Sequence, residues 1–196
     1  MMLSRKQYFI KEHAGLLKLS DTYDIVDPET QAKLGQAREE ISGLIKALRF
    51  LINKSLMPTR ISIYEGNDEQ PSKLLFSIRR GASLFRPKVD IHDADGHSLG
   101  YFKTKAFSIG GAFRVFTPDN TEIALVKGDW KGWNFKFTSG DTELGEVTKK
   151  WAGIGKELFT SADNYIISIN GEPDKTINTL LLAAGLAVDT IYKEKK

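Results

Sequence analysis

There is no cysteine anywhere in this 196-residue chain. That excludes disulfides, thiol catalysis, thiolate metal sites and palmitoylation. Histidine is scarce as well, with only His13, His92 and His97. The last two fall in a turn-like segment with Asp93 and Asp95, where Asp and Gly serve backbone geometry, and they lack the partners a catalytic histidine needs. No Gly-rich phosphate loop, paired-histidine motif or nucleophile elbow is present, so the sequence reads as non-enzymatic. A strong charge of one sign is missing too. The net charge of +3 does not point to nucleic acid, and no nucleic-acid partner is expected. The first residues, MMLSRKQYFIKEH, are charged throughout and hold no apolar signal core, which predicts a cytoplasmic protein.

Long hydrophobic runs are also few. The main one is Ile177–Ile191, reading INTLLLAAGLAVDTI. A membrane span wants about 20 mainly apolar residues. This run is shorter, with Asn178 and Thr179 near one end and Asp189 and Thr190 near the other. Asp174 stands before it as an N-cap candidate, and Lys193, Lys195 and Lys196 follow it, which suits a helix dipole. Leu180, Leu181, Leu182, Ala183, Ala184, Leu186, Ala187 and Val188 wrap all round such a helix, so it needs a surround on every side. A helix enclosed by a barrel is the expectation, with Leu180, Leu181, Ala184, Leu186 and Val188 as its core residues.

What is abundant is short, alternating strand. Gln7–Leu19 reads as one or two strands, and Thr22–Val26 and Ala32–Arg38 as a hairpin around Asp27-Pro28-Glu29-Thr30. Arg60–Tyr64, Leu74–Arg79 and Val89–His92 follow. A hairpin unit then recurs over His92–Tyr101, Phe116–Leu125 and Phe137–Val147, with Val26–Gly35 as an earlier copy, each an apolar strand end, an acidic or Gly turn, then Leu-Gly or Ala-Leu. Phe113 and Val115 oppose Arg114, and Phe135 and Phe137 oppose Asn134 and Lys136, so one face is apolar and one is wet. A meander of this many strands closes or stacks to remove its edges. Hydrophobic residues at 41% and charged residues at 27% suit one soluble globular domain over 1–196.

One stretch breaks the strand rhythm. Ile41, Leu44, Ile45, Leu48 and Ile52 fall at helical spacing, with Glu39 and Glu40 at the start and Lys54 near the end. An amphipathic helix over residues 39–56 is predicted. It either covers the sheet or, with Lys46 and Arg49, docks on an anionic membrane or a partner.

A strand meander ending in Ser161-Ala-Asp-Asn-Tyr165, a spacer, and an apolar helix holding Asp189 resembles the phospholipid scramblase family. Asp93-Ala-Asp-Gly-His-Ser-Leu-Gly100 and Lys149-Lys-Trp151-Ala-Gly153 fit the same pattern. Plant LURP-one-related proteins and the tubby C-terminal domain are similar in architecture. The resemblance implies a mainly β fold, a closed barrel of about twelve antiparallel strands around a buried C-terminal helix. The sequence carries neither the proline-rich arm nor the cysteine cluster of the animal scramblases. Of their calcium segment it retains Asp163, Asn164 and Asp174 as weak candidates, with Ser161 where an acid would help. Calcium prefers six to eight oxygens and several carboxylates, so no cofactor, calcium included, is expected.

Arg79, Arg80, Lys103, Lys105, Lys127, Lys131, Lys136, Lys149 and Lys150 recur beside the hairpins, with Trp130, Trp133 and Trp151 interleaved. By resemblance to tubby-like domains, such a basic patch holds phosphoinositide headgroups. The candidate headgroup residues are Arg79, Arg80, Lys103, Lys105, Lys127, Lys131, Lys149 and Lys150. A mixed-charge solvated surface is the plainer account of the same residues. Three readings follow: a domain binding anionic phospholipid at a membrane surface, a protein-interaction scaffold with no lipid role, and a membrane-inserted scramblase.

Overall fold

The computed structural model describes residues 1–13, 22–40, 57–67, 72–81, 88–104, 112–129, 133–149 and 164–192. Twelve strands run in chain order: β1 (Gln7–Glu12), β2 (Thr22–Val26), β3 (Lys33–Glu40), β4 (Thr59–Glu65), β5 (Lys73–Arg80) and β6 (Lys88–Asp93). Then come β7 (Ser98–Thr104), β8 (Ala112–Phe116), β9 (Glu122–Asp129), β10 (Asn134–Ser139), β11 (Thr142–Thr148) and β12 (Tyr165–Ile169). Each strand pairs antiparallel with its neighbours in sequence, and β1 pairs with β12, so the meander closes into a barrel. Closure removes the free edges that an open sheet of this size would expose. The expected fold class is the observed one.

Period-2 alternation decides which side chains fill the barrel. Phe113 and Val115 of β8, Val126 of β9, Phe135 and Phe137 of β10, and Val147 of β11 are all buried in one cluster. Their alternate neighbours Arg114, Lys127 and Lys136 face water. The cluster is completed by α1 (Lys175–Tyr192), the helix expected from the apolar run. Leu180, Leu181, Leu182, Ala183, Ala184, Leu186, Ala187 and Val188 are each at most 3% exposed, which is why no face of this helix needed to be polar. Asp174 caps it as predicted: its Oδ1 accepts from the Ile177 amide at 2.9 Å.

The end of the barrel where α1 begins is shut by the N-terminal segment. A 3₁₀ turn over Met2–Ser4 buries Met2 in the core. The Asn178 side chain donates to the Leu3 and Arg5 carbonyls, and the Tyr8 hydroxyl lies 2.8 Å from the Arg5 carbonyl and 3.1 Å from that of Met2. These bonds satisfy the Leu3 and Arg5 carbonyls beside an apolar interior, and the Met2 carbonyl also accepts from the Arg5 amide at 3.1 Å.

The expected start of the helix predicted over 39–56 is strand. Glu39 and Glu40 belong to β3, in register with Ile61 and Arg60 of β4. The Glu40 carboxylate meets the Arg60 guanidinium at 3.1 Å and accepts from the Tyr64 hydroxyl at 2.9 Å. Cross-strand partners thus claim acids that a sequence reading assigns to a helix N-terminus. Residues 41–56 lie outside the described part of the chain. So do residues 14–20 and Lys193, Lys195 and Lys196.

The β2–β3 turn carries a pH dependence. Asp27 Oδ1 accepts from the amides of Glu29 and Thr30, both at 3.0 Å, and its Oδ2 lies 3.2 Å from Arg5. The backbone bond from Thr30, then that from Glu29, with Arg5 assisting, outweigh burial and hold the carboxyl below its usual range. A folded pKa below the unfolded one means the stabilisation is complete above the ordinary carboxylate pKa of about 4 and is lost as pH falls through the folded value. Asp27→Ala should therefore cost about 1–2 kcal/mol at pH 7 and show a smaller further loss than wild type between pH 5 and pH 3 in thermal melts. Parallel loss by both proteins would remove Asp27 as the titrating group.

Candidate functional site

Among the described residues the barrel interior is filled by one core cluster, which leaves its outer wall and its end beside the start of α1 open to a partner, and the candidate cations lie on the wall. There the cations gather on β5 to β10. Arg79 lies half-buried on β5, its Nε 3.3 Å from Ser77 Oγ, directly opposite Arg60 on β4 and Asp90 on β6. Lys103 on β7 is exposed, with Nζ 5.1 Å from the Tyr101 ring centroid and 5.5 Å from that of Phe116. Lys127 on β9 is exposed and opposite Lys136 on β10, and the two line a groove of about 570 Å³ with Leu125, Asp129, Asn134 and Thr138. Lys149, just past β11, sits half-buried with Nζ 4.3 Å from the Trp133 ring.

Arg80 must be taken off this wall. It is only 7% exposed, and its Nη2 donates to Thr59 Oγ1 at 3.0 Å and to the Met57 carbonyl at 3.4 Å. Phe76, Ile78 and Arg80 share one parity on β5, and the first two are core residues. That parity was readable in the sequence and would have turned Arg80 inward. Lys105, Lys131, Lys150, Trp130, Trp151 and Asp163 lie outside the described residues.

The two described calcium candidates do not meet. Asn164 precedes β12 and Asp174 follows it, and a five-residue strand spans about 17 Å at its usual rise. Asn164 Oδ1 accepts from the Glu12 amide at 3.0 Å, which ties β1 to the start of β12. Asp174 is occupied with its cap. Asp93, Asp95 and His97 do bring ligand atoms within 4.8 Å of one another. Asp93 Oδ1, however, already accepts from the Asp95 and His97 amides at 3.0 and 2.8 Å, which is the turn geometry the sequence implied.

Lys88 and Arg114 are missing from the basic residues singled out in the sequence, and Lys136 is among them but not among the headgroup candidates. Lys88 on β6 and Arg114 on β8 lie directly opposite Lys103, one on each side. Lys136 stands opposite Lys127. Each is visible in sequence as the polar alternate of a buried strand residue. Their alignment is a matter of strand register, shifted in the β6–β7 pair by a bulge at Ile91/His92, and no local pattern states it.

A closed antiparallel barrel threaded by an apolar helix, with its charge carried on the outer wall, defines the tubby-like class of architecture. The particular family follows from sequence comparison. Residues 73–195 match the family model for Scramblase, and the chain belongs to that family. It is 22% identical over 116 residues to phospholipid scramblase 2 of Homo sapiens, covering 55% of this chain and 39% of that protein. It is 31% identical over 64 residues to phospholipid scramblase 1 of Mus musculus, covering 32% of this chain and 20% of that one. The matched part thus spans well under half the length of these relatives. No solved structure matches the chain. The family match begins at β5, yet β1 to β4 close the same barrel. Among the described residues no helix is long and apolar enough to cross a membrane, and the apolar side chains of α1 are already spent on the core.

Proposed function

We propose that this domain is a non-enzymatic module that binds anionic phospholipid, of the phosphoinositide-like kind, at a membrane surface. It would act as a peripheral protein of the cytoplasmic side, and calcium plays no part in the proposal. Membership of the Scramblase family supports a phospholipid-related role. The observation that carries the reading is the outward placement of Lys103 and Lys127, exposed and with no carboxylate partner among the described residues. Trp133 beside Lys149 adds the aromatic-plus-basic pairing that suits an interface.

Flotation with vesicles tests it. The full chain should rise with phosphatidylcholine vesicles that contain phosphatidylserine or a phosphoinositide, stay behind with pure phosphatidylcholine, and release as salt is raised. Lys127→Gln should weaken retention several-fold, since one basic residue near an anionic surface contributes about 1 kcal/mol. Failure to float on any anionic vesicle would sink the proposal and leave the scaffold reading, which predicts a co-purifying protein.

A further inference from the structure

Three adjacent strands place Lys88, Lys103 and Arg114 in one cross-strand row on the outer wall. Like charges directly opposite one another destabilise a sheet, so the row needs a compensating charge. Lys88 has one in Asp90, at 2.7 Å, and Arg114 has one in Glu122, at 3.2 Å. Lys103, in the middle, meets the Tyr101 and Phe116 rings and no carboxylate among the described residues. Lys88 Nζ lies 4.5 Å and Lys103 Nζ 5.1 Å from the same Tyr101 centroid, so two ammonium groups crowd one aromatic ring. That ring is fixed. Tyr101 is 6% exposed, stacks on Phe116 at 5.0 Å between centroids, and donates its hydroxyl to Asn120 Oδ1 at 2.6 Å. The next row toward the barrel's middle adds Arg79, opposite Asp90. Among the described residues these four cations have Asp90 and Glu122 as close carboxylates, with Glu40 acting on Arg79 from the far side, so the Lys103 end of the patch keeps an excess of positive charge.

Resting on the lipid-binding reading above, we infer that the Lys88–Lys103–Arg114 row over the Tyr101–Phe116 floor is a seat for the phosphomonoester of a membrane lipid headgroup, with Lys103 its central contact. A phosphomonoester brings nearly two negative charges and three acceptor oxygens, enough to answer three donors that converge from neighbouring strands. A phosphatidylserine headgroup brings an ammonium along with its carboxylate and phosphodiester, and that ammonium would be repelled by the row. Strand spacing puts β6 and β8 about 10 Å apart, a span that Lys and Arg side chains can close around one phosphate. The barrel would then lie on its side, with α1 parallel to the lipid surface rather than entering it.

The test uses the full chain and vesicles of phosphatidylcholine doped with phosphatidic acid, or with phosphatidylserine matched for surface charge. Wild type should bind the phosphatidic acid vesicles about tenfold more tightly, the worth of one added charge-assisted contact. Lys103→Gln should abolish that preference and leave weak phosphatidylserine binding in place, whereas Lys136→Gln, on the neighbouring row, should lower both alike. Unchanged melting temperatures for both exposed variants exclude unfolding as the cause. Equal binding of the two wild-type vesicle sets overturns the phosphate seat but leaves the membrane reading standing. Binding to neither overturns both. Soluble glycerol phosphate provides the last arm: if it saturates the row as tightly as the vesicles do, the ligand is a free phosphate ester and the lipid assignment fails.

Discussion

Deleting residues 176–196 should leave a chain that aggregates and shows no cooperative thermal transition. The helix α1 contributes Leu180, Leu181, Leu182, Leu186 and Val188 to the core, none more than 3% exposed. At about 1.5–3 kcal/mol for each fully buried aliphatic side chain, their loss comes to roughly 7–15 kcal/mol, as large as the whole stability of an ordinary domain. The barrel would also be left hollow, with the inner faces of Phe102, Phe113, Phe137 and Ile167 open to water. Leu181→Asp reaches the same end with the chain length intact, because a carboxylate there has no partner in an apolar surround. A truncated chain that stayed soluble, melted cooperatively and kept strand-type circular dichroism would show that α1 is an appendage and that the barrel stands without it.

The same helix shows how far the sequence could be read. Its all-round apolarity, its aspartate cap and the even alternation of the later strands are local signals, and each element they foretold exists. The twelve-strand closure came instead from family resemblance, since a count of hairpins leaves open whether the sheet closes or stacks. Where the sequence misled, a distant partner decided. Glu39 and Glu40 look like the acidic start of a helix, but Arg60 and Tyr64 of β4 hold Glu40 in a strand. Arg79 and Arg80 look alike as neighbours, yet successive strand residues face opposite ways, and only Arg79 remains on the wall. The basic row was hidden for the stronger reason that Lys88, Lys103 and Arg114 become one feature only through two strand registers, β6 with β7, which contains a bulge, and β7 with β8, which does not.

Close packing between α1 and the wall carries the second large effect. At Gly185 a Cβ would sit 2.6 Å from Cδ1, 2.8 Å from Cγ1 and 3.0 Å from Cγ2 of Ile167 on β12. Alanine at a helix interior normally gains about 1 kcal/mol over glycine. Here that gain is outweighed, because the contact involves both branches of a stiff, β-branched side chain that cannot simply swing aside. Gly185→Ala should therefore destabilise by about 1–3 kcal/mol, and Gly185→Leu should prevent folding. Ile167→Ala alone should cost about 2–5 kcal/mol by leaving a cavity beside the helix. The pair together should cost less than the sum, because the new methyl occupies the space that the removed atoms leave, with a coupling of about 1–3 kcal/mol in a double-mutant cycle of denaturant melts. Strict additivity would mean that α1 and β12 do not touch at this point. Stabilisation by Gly185→Ala alone would mean that the helix has room to move within the barrel, and the glycine would then need another explanation than close approach to the wall.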